Sequence, residues 1–579
     1  MIHNQTAVPV CRIHVYQGKK DFRKETDKKD VLPPIHWAGK NPPAEPAKVE
    51  KPTCILGKDG LYINTLDPEF GELAKKKQRT NWHVLSARVN LTRQWACSSA
   101  QFQLAHEDDQ NSIATQNLKR PPIRPNDIIV IEMGYVKSLT TRINKADGNT
   151  DYTNFSGDVV FYGMVDTIKE RGGSGENDGI VYTVMARDMM SFLVDNKIRA
   201  YYRPGSTKEF NRAYIIRDLI YRGAAVEYSK STINNKGVKE YEKDSKTGLY
   251  QEENYGADNC YLRIGMLEAS QRLDPMPTIA GADQPGIVLM DRFPLDLIKH
   301  FSQVETAPRE LFADNKTGEI HWLFRRTDMR KFFDEQKKSE RVSRQYFYRY
   351  PKNRANIISY TNEWSSAGVI SHFSISNPIP QDGESSTKDF YAESPVGRLV
   401  DPHTGYNLRK ITRNRFVYDD TMSQTIDAEA IANALFLIWG RAITTGMVMV
   451  PGDPTIEIGE AIQLFNTGFF GRQFNEANKA AANEIIEKTI ETEETDGAST
   501  KKAVYYKDSA KSPLNEGQDK GTPNPDGYFR VEAVSHMFAM GGVSRGFTSV
   551  FVLGPVDSDS GSPRRIITTE EEKNQIKGI

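Results

Sequence analysis

The sequence contains little cysteine, with four in 579 residues, at Cys11, Cys54, Cys97 and Cys260. No two of them form a CxxC pair, which argues against a zinc ribbon and against a dithiol redox motif. Cys11 and His14 form one CxxH, but the sequence offers no second ligand pair that would complete a metal site. We therefore predict that the cysteines are free thiols buried in the core.

The chain has no excess of either charge, because 76 lysines and arginines balance 76 aspartates and glutamates. Non-specific nucleic-acid binding needs a basic excess on some face, so the balance argues against it as the main role. Two basic runs, GKKDFRK at 18–24 and LAKKKQR at 73–79, are long enough to touch DNA. Acidic residues beside them favour a solvated arm instead.

Long apolar runs are missing as well. No stretch of about 18 apolar residues is present, so the sequence predicts no transmembrane helix. The first residues lack a long apolar segment after their positive charges, and no signal peptide is expected. Apolar residues still make up 38% of the chain. We therefore expect a soluble protein, made and folded in the cytosol and long enough for about three or four domains.

The familiar catalytic motif HExxH and the P-loop do not occur. The run GGSGENDG at 172–179 is rich enough in glycine to suggest a phosphate cradle. Such a loop leads into a helix, whose N–H groups face the anion. Here the glycines are followed by IVYTVM at 180–185, a strand pattern, and by no Lys-Ser or Lys-Thr pair. The pattern therefore predicts the bend of a β-hairpin.

One acidic segment imitates a calcium-binding loop. Asp147, Asn149, Asp151 and Asp158 have the spacing of loop positions 1, 3, 5 and 12. Position 6 is Tyr152 instead of glycine, and position 12 is aspartate instead of glutamate, so both the sharp turn and the bidentate ligand are missing. A solvated loop is favoured, and we predict no metal site and no cofactor.

Residues with catalytic potential are dispersed along the chain. QWACSSAQFQL at 94–104 holds serine and cysteine without a nearby base, and its pattern indicates a strand. His321 and His536 lie in strand patterns, where a packed histidine is favoured over a ligand. His83, His106, His300 and His372 are scattered along the chain and match no catalytic motif. We predict no catalytic residues and no enzyme. Paired carboxylates have no fixed spacing, so a peptidoglycan hydrolase stays open as the second hypothesis.

Short strand patterns dominate what is present. HVLSARVNLT at 83–92, CSSAQFQLAH at 97–106 and NDIIVIEMG at 126–134 are strand candidates, and 158–188 reads as a hairpin. Short strands separated by turn signals are typical of a barrel or sandwich and unlike a βαβ unit. The stretch before them begins with a strand candidate at 12–16 and continues as a polar, Pro-rich and Lys-rich arm.

The middle of the sequence is mixed, and the last third opens with a long apolar helical pattern. Helices are predicted at 210–223, 293–304 and 425–446, a strand–turn–strand unit at 310–326, a strand pair at 356–364 with 368–377, and further strands within 454–468 and 526–554. Long polar segments at 228–258 and 472–526 read as loops or exposed insertions. The fold class that these patterns predict is mainly β with α+β parts.

These shifts in pattern divide the chain into five parts. They are an N-terminal strand and extended arm at 1–80, a first β-barrel domain at 81–200, a mixed α+β middle region at 201–392, a helix and second β-barrel domain at 393–556, and a charged tail at 557–579.

The two ends of the chain share one order of patterns. NDIIVIEMG is followed by a polar insert, then DVVFYGMVDTI, a Gly-rich turn and IVYTVMARD. Later, TIEIGEAIQLFNTG is followed by a longer insert, then YFRVEAVSHMF, a turn containing two glycines and GFTSVFVLG. The order supports a duplicated unit, whereas chance recurrence of hairpins in a β-rich chain is the alternative. Two such units could pair edge to edge, because open sheets leave strand edges that need covering.

Three stretches together resemble the baseplate hub proteins of contractile-tailed bacteriophages, the late-control proteins and the N-terminal half of type VI secretion spike proteins. They are NDIIVIEMG with GDVVFYGMVDTI and TVMARDMMSFL, FPLDLIKHFSQV with ELFADNKTGEIHW, and PTIEIGEAIQLFNTG with YFRVEAVSHMF and FTSVFVLG. In the third stretch, Val531, Val534 and His536 match the family's strand. The likeness extends from about residue 81 to 555.

The resemblance implies two tube-like antiparallel β-barrel domains in each subunit of a trimeric hub. Six barrels would then form a pseudo-sixfold ring that adapts the tail tube to a threefold central spike. The implied partners are the tail tube or a tube-initiator protein, the spike, the tape measure and baseplate wedge proteins, with no membrane. DNA would pass through the lumen without specific binding, and the location would be the virion. The hydrolase alternative would also be tail-associated.

Overall fold

The computed structural model describes part of the chain. The described residues are 8–17, 52–57, 60–63, 75, 80–93, 96–106, 120–136, 155–172, 180–202, 215–217, 219–220, 223, 231–233, 239–241, 264–267, 287–303, 309–325, 344–348, 355–365, 372–377, 390–393, 414–418, 443–465, 504–505, 525–540, 546–554 and 566–567.

Strands dominate the described residues. Strands β1 to β8 lie at Val8–Tyr16, Cys54–Leu56, Trp82–Thr92, Ser99–His106, Ile128–Val136, Phe155–Arg171, Val181–Arg187 and Ile198–Tyr202. Strands β9 to β16 lie at Ser231–Ile233, Lys239–Tyr241, Ile264–Leu267, Ile287–Arg292, Arg309–Ala313, Ile320–Phe324, Arg344–Phe347 and Ser359–Ser365. Strands β17 to β25 lie at His372–Asn377, Phe390–Glu393, Asn414–Tyr418, Ile443–Pro451, Ala461–Phe465, Val504–Tyr505, Pro525–Ala539, Gly546–Gly554 and Ile566–Ile567. Two helices have both ends described, α1 at Ser191–Asp195 and α2 at Pro294–Gln303.

Thirteen strands form one large sheet with the order β16-β20-β24-β23-β3-β4-β7-β6-β5-β1-β2, and β21 joins it beside β23 and β15. The sheet contains the same arrangement twice. The first unit consists of β3, β4, β5, β6 and β7, and the second unit of β16, β20, β21, β23 and β24. Within each unit the strands lie in the order first, second, fifth, fourth, third, and all neighbours are antiparallel.

Two apolar cores lie on the two faces of the first unit. Side chains alternate between faces along a strand, so Phe161 packs in one core and its neighbour Tyr162 in the other. The first core also contains Val450 and Phe551 from the second unit, so both units share it. Burial on both faces explains why the apolar run at 128–131 in β5 is continuous and does not alternate.

The middle region covers the second face of the first unit. Ile298 and Phe301 of α2 pack there with Trp322 of β14. The indole Nε1 of Trp322 donates a hydrogen bond of 2.8 Å to the Ser302 hydroxyl, so the ring's one polar atom is satisfied inside the core. The Arg309 guanidinium lies 3.8 Å from the centre of the Trp322 ring.

Much of the predicted secondary structure is confirmed. The structure has strands at 82–92, 99–106 and 128–136, hairpins β6–β7 and β23–β24, helix α2, and the β13–β14 hairpin whose turn includes Gly318 at φ 73°. The described residues between 215 and 223 are helical, as predicted. The predicted fold class, mainly β with α+β parts, is confirmed. The described strand pairs leave each unit open, and closure into two barrels stays a prediction.

Two local predictions are wrong. The segments at 356–364 and 368–377 do not pair with each other, because β16 pairs with β20 while β17 pairs with β18 and β19. The predicted helix at 425–446 does not reach its end as a helix, because residues from Ile443 onward belong to β20; residues 425–442 lie outside the described part. Local patterns identify strands but carry no information on distant partners.

The N-terminal arm predicted at 17–80 contributes to the sheet in part. β2 pairs with β1, and Cys54, Leu56 and Tyr62 are buried in the core that the two units share. The polar stretch at 18–51 lies outside the described residues, as do the inserts at 472–503 and 506–524. The division of the chain into five domains stays a prediction.

In the described ranges, no helix combines the length and the apolar character that crossing a membrane would require.

Candidate assembly interface

The two units share an unusual corner, formed where the residues just before the third strand bond to the fourth strand. In the first unit, Asn126 has φ 69° and donates its backbone N–H to the Val165 carbonyl at 2.8 Å. Val165 returns a bond of 2.9 Å to the carbonyl of Asp127. Asp127 is buried, and burial raises the pKa of its carboxyl to about 7, although the Arg124 backbone N–H donates to it at 2.7 Å.

The second unit repeats this corner with Gly459 and Glu460. Gly459 has φ 91° and donates to the Val531 carbonyl at 2.8 Å, and Val531 donates back to Glu460 at 2.9 Å. Glu460 is buried like its counterpart Asp127. A positive φ is rare outside glycine and asparagine, so its recurrence before an acidic residue at the same strand junction supports duplication.

The long strand of each unit has a β-bulge at the matching place. In β6 the bulge at 165–167 contains Asp166, and in β23 the bulge at 531–533 contains Glu532. A bulge bends its strand and increases the local twist. On one edge, β6 pairs with β5 only before the bulge, and β23 pairs with β21 only before the bulge. The residues after each bulge therefore present an edge that another strand can occupy.

In the second unit that edge is occupied by the first unit. Residues 533–539 of β23 pair antiparallel with residues 86–92 of β3, which makes the two units one sheet. The Ser535 hydroxyl and the Asn90 side-chain oxygen lie 2.8 Å apart across this joint. We refer to the β3–β23 pairing as the internal joint.

The internal joint uses the edge of one long strand, β23, and the edge of one first strand, β3. The equivalent edges, on β6 and β16, remain without a strand beside them among the strands that are described. Within the described residues, β6 has no strand beside 167–171 on the edge that carries β5, and β16 pairs only with β20. Several side chains there are exposed, namely those of Lys169 and Arg171 on β6 and of Thr361 and Glu363 on β16. Exposed strand edges pair readily with other strands.

A buried histidine lies within the internal joint. His536 of β23 has no exposed surface, pairs across the joint with Val89, and its Nδ1 lies 2.9 Å from the Ser549 hydroxyl. Burial lowers the pKa of His536 to about 4, against an opposing effect of Asp453. The ring is therefore neutral at pH 7, and its protonation would place a charge inside the joint.

Acid should weaken the wild-type chain more than a His536→Asn variant. A folded-state pKa of about 4, below the unfolded value of about 6.5, means that the histidine's contribution is complete above pH 6.5 and is lost as the pH falls toward 4. Between pH 7 and 4.5 the stability advantage of the wild type should shrink by about 2–3 kcal/mol. Thermal or urea unfolding at several pH values measures it, and a constant difference would contradict it.

Buried charges connect the second unit to the middle region. Arg530 has no exposed surface and donates to Glu310 of β13 and to Glu532 of the bulge, both at 2.7 Å. Arg325 lies 2.5 Å from the other oxygen of Glu532, and Arg93 lies 3.7 Å from Glu310. Burial alone would raise the pKa of Glu310, but Arg530 and Arg93 hold it below its usual range. The carboxylate therefore stays charged at neutral pH.

A lysine in the β13–β14 turn bridges the two units. Lys316 Nζ lies 2.9 Å from Asp158 in β6 and 3.0 Å from Glu457, which precedes β21. Burial alone would lower the pKa of Lys316, but Glu457 and Asp158 raise it above its usual value. Thr317 donates to the buried carboxylate of Asp314 at 2.8 Å, which fixes the turn. The middle region thus contacts both units through one side chain.

The structure bears on several sequence predictions about ligands. Cys11 and Cys54 are buried free thiols, as predicted, and burial raises the pKa of both. Cys97 is half-buried, and burial raises its pKa to about 12. Cys260 lies outside the described residues. Across the part of the chain that the structure describes, no three His, Cys, Asp or Glu side chains gather in a way that could hold a metal ion.

The imitation of a calcium loop is only partly visible. Asp147, Asn149 and Asp151 lie outside the described residues. Asp158 is described, and its carboxylate accepts from Lys316 and from the backbone N–H of Val159 at 2.8 Å. Its oxygens therefore serve the bridge between the units.

The other candidate residues lie apart from one another. The Ser98 backbone N–H donates to Asp188 at 2.8 Å, and the segment that follows forms β4, as predicted. His321 is buried, its Nδ1 accepts from the Met266 backbone N–H at 2.9 Å, and burial lowers its pKa to about 4. His83, His106 and His300 are half-buried on other elements, and His372 begins β17. The glycine-rich tip at 173–179 and the basic runs, apart from Lys75, lie outside the described residues.

Neither a protein-family model nor a curated protein sequence matches the chain. Solved structures do match over most of its length. A 43 kDa tail protein of prophage MuSo2 from Shewanella oneidensis is 10% identical, with 82% of this chain and 95% of that chain covered and a TM-score of 0.39. A tail protein from Neisseria meningitidis MC58 is 10% identical, with 82% and 92% covered and a TM-score of 0.40.

A third match is a PdpA-VgrG complex in its lidless form, at 10% identity, with 98% of this chain and 68% of that chain covered and a TM-score of 0.39.

Proposed function

We propose that this protein is a structural component of a phage tail, a trimeric baseplate hub that adapts a sixfold tail tube to a threefold central spike. The observation that carries the proposal is the duplicated five-strand unit, joined edge to edge into one sheet. A chain that carries the same unit twice gives three copies six similar units. One polypeptide could then contact both a threefold spike and a sixfold tube.

The internal joint supplies the rule by which such a ring would grow. It pairs the first strand of one unit with the long strand of the other. The first strand of the second unit and the long strand of the first unit keep the same kinds of edge open among the described residues. A head-to-tail contact between copies generates a closed ring when its rotation returns to the start.

The middle region suits a hub because it fixes the geometry of the two units. Lys316 bridges them. The buried charges around Arg530, which we call the Arg530 cluster, attach β13 to the second unit through Glu310. A ring that carries a spike on one side and a tube on the other needs units whose spacing does not vary. The spike, tube, tape measure and wedge partners follow the family resemblance, and the location would be the virion tail.

The lumen of the ring would let DNA pass without binding it. The chain has equal numbers of basic and acidic residues, and we expect a lumen lined by polar groups of neutral or acidic character, because a dense basic lining would hold the phosphate backbone. A ring structure with lumen walls rich in lysine and arginine would contradict this part of the proposal.

The assembly test uses the full chain. Native mass measurement should give three times the mass of one chain, and electron-microscopy class averages along the axis should show six lobes with threefold symmetry. Obligate interfaces of this kind commonly bury about 2,000 Å² or more, so the trimer should persist on dilution to nanomolar concentration. Chains that stay monomeric, or oligomers without a threefold axis, would exclude the hub.

A cell-wall assay separates the hub from the hydrolase hypothesis. Purified protein is added to suspended peptidoglycan, and turbidity is followed with a lysozyme control. The hub proposal expects a trimer and no loss of turbidity. A monomer that clears the suspension would support the tail-associated hydrolase instead.

A further inference from the structure

The duplicated register tells which residues would meet where two copies join. In both long strands one residue pairs with strands on both sides just before the bulge, Met164 in β6 and Arg530 in β23. The first paired residues after the bulge are Thr167 and Ala533. The two long strands can therefore be aligned residue by residue without any use of sequence similarity.

The first strands of the two units, β3 and β16, can be aligned in the same way, by following the cross-strand pairs from the long strand. One row of cross-strand pairs runs through each unit from the long strand to the first strand. In the first unit it is Thr167, Met185, Gln101 and Arg88, and in the second unit it is Ala533, Val552, Met447 and Thr361. Arg88 of β3 and Thr361 of β16 are thus equivalent. Two residues further along each strand, Asn90 is equivalent to Glu363.

The internal joint then predicts the contact between copies. In that joint, Ser535 pairs with Asn90. The alignment of the long strands makes Lys169 of β6 equivalent to Ser535 of β23. The alignment of the first strands makes Glu363 of β16 equivalent to Asn90 of β3. The repeated joint would therefore set Lys169 of one copy opposite Glu363 of the next.

We propose that residues 167–171 of β6 pair antiparallel with residues 361–365 of β16 from a second copy of this chain, with Lys169 opposite Glu363 and Arg171 opposite Thr361. The inference rests on the proposed hub function and names the surface through which its copies bind. Opposite charges at directly opposed positions stabilise an antiparallel pair. Both side chains are exposed in the single chain, so the ion pair forms only on assembly.

A second copy is the occupant because the chain already binds this kind of edge to itself. The internal joint has the same strand direction, the same bulge beside it and a side-chain contact of 2.8 Å between Ser535 and Asn90 at the equivalent position. A basic edge and an acidic position on the complementary edge favour head-to-tail contact over contact between two like edges. Like edges would set lysine and arginine against each other.

Cysteine pairs test the register. In the full chain, Lys169→Cys with Glu363→Cys should give disulfide-linked dimers and trimers on non-reducing gels after mild oxidation, because directly opposed residues lie within disulfide reach. Ser535→Cys with Asn90→Cys is the positive control, with a link inside one chain and no increase in mass. Arg171→Cys with Glu363→Cys reports a register slipped by two residues. Circular dichroism checks the fold of each variant.

Charge reversal gives an independent test. Lys169→Glu alone and Glu363→Lys alone should each weaken association between copies by roughly 2- to 30-fold, since an attractive pair becomes a repulsive one. The double variant Lys169→Glu with Glu363→Lys should recover most of that affinity. Recovery distinguishes a direct pair from two unrelated surface effects.

The outcomes separate this inference from the hub itself. A trimer that links through the first cysteine pair supports both. A trimer that links only through the slipped pair, or only within single chains through the control pair, overturns the register while the hub stands. A chain that stays monomeric at all concentrations overturns both. Failure of the double charge variant to recover affinity also counts against the pairing.

Discussion

Replacing Arg530 by methionine should lower the free energy of unfolding by about 3–5 kcal/mol, the typical cost of removing one partner of a buried ion pair. Arg530 has no exposed surface and binds Glu310 and Glu532 at 2.7 Å each. Methionine fills much of the side-chain volume but leaves two carboxylates facing each other. Arg325 still contacts Glu532, whereas Arg93 is 3.7 Å from Glu310 and makes no direct hydrogen bond to it.

Arg187→Met is the matched control in the first unit. Arg187 pairs with Asp166, the acidic residue of the β6 bulge, at 2.6 Å, and with Asp195 at 2.6 Å. One third of its side chain is exposed, so water replaces much of what the pair contributes. We expect a loss of about 0–1 kcal/mol. Equal losses in the two variants would contradict the view that burial makes the Arg530 cluster important.

The pH dependence gives a second readout for Arg530→Met. In the wild type, Arg530 and Arg93 hold the pKa of Glu310 below its ordinary value, so their contribution is complete above that value and is lost as the pH falls through the folded-state pKa. Without Arg530, burial acts on Glu310 with less compensation. The deficit of the variant should therefore shrink as the pH falls below about 4. Urea unfolding curves at pH 7 and at about pH 3 measure this.

A second substitution at Glu310 tests the mechanism. Glu310→Met in the Arg530→Met background removes one of the two stranded carboxylates. Replacement of a whole buried pair by apolar residues is often neutral or stabilising, so the double variant should be more stable than Arg530→Met alone. If the double variant loses still more stability, packing and not charge accounts for the effect.

Local patterns predicted the strands because the signal for a strand, apolar alternation between turn residues, is contained in the strand's own sequence. The hairpins β6–β7 and β23–β24 follow from apolar alternation and glycine-containing turns close in sequence. The order of patterns also revealed the duplication, because strand, insert, strand, turn and strand recur in both units. The structure adds the matching corner at Asn126 and Gly459 and the matching bulges, which no local pattern encodes.

The internal joint was not predictable from the sequence. Ser535 and Asn90 are 445 residues apart along the chain, and nothing in either strand specifies the other. The same limitation made the pairing of 356–364 with 368–377 wrong, because nearness in sequence was the only available guide to the partner of β16. Pairing is decided by the fold as a whole, through burial of both strands against a shared core.

The buried charge cluster was also missed, for a different reason. Arginine and glutamate in a strand ordinarily indicate a solvent-facing side, since charged side chains are rarely buried unless paired. Arg530 and Glu532 lie two residues apart on β23, and their partners Glu310 and Arg325 come from the middle region. The alternation of charged and apolar residues in YFRVEAV likewise indicates a solvent-facing side, and only the contacts from the middle region show that this face is covered.

Gly163→Ala should destabilise the chain by about 3 kcal/mol, the upper end of the cost of overpacking a core. Gly163 is buried in β6, opposite Ile129 of β5. An added Cβ would lie 2.3 Å from the Arg187 carbonyl oxygen and 2.6 Å from the Phe161 ring. The carbonyl belongs to the backbone of β7, so the clash is relieved only by moving a strand. Glycine within a strand commonly marks such an approach.

Gly172→Ala supplies the control from the same hairpin. No atom lies within 4 Å of the position that its Cβ would take. Its effect on the free energy of unfolding should stay within about 0.5 kcal/mol, as for most surface substitutions. Thermal unfolding of both variants gives the comparison. Equal midpoints would show that the close approach at Gly163 does not make an added methyl group destabilising.

The Gly163→Ala variant should also associate more weakly with other copies, by more than its loss of folding stability accounts for. Gly163 lies two residues before the bulge at 165–167, where β6 bends and presents residues 167–171 as an edge. A shift of β7 away from the new methyl group would move that edge, because residues 181–185 of β7 pair with it. At a temperature where the variant is fully folded, its association between copies should be weaker than that of Gly172→Ala. Unchanged association of a folded Gly163→Ala chain would mean that the bend of β6 does not position the edge.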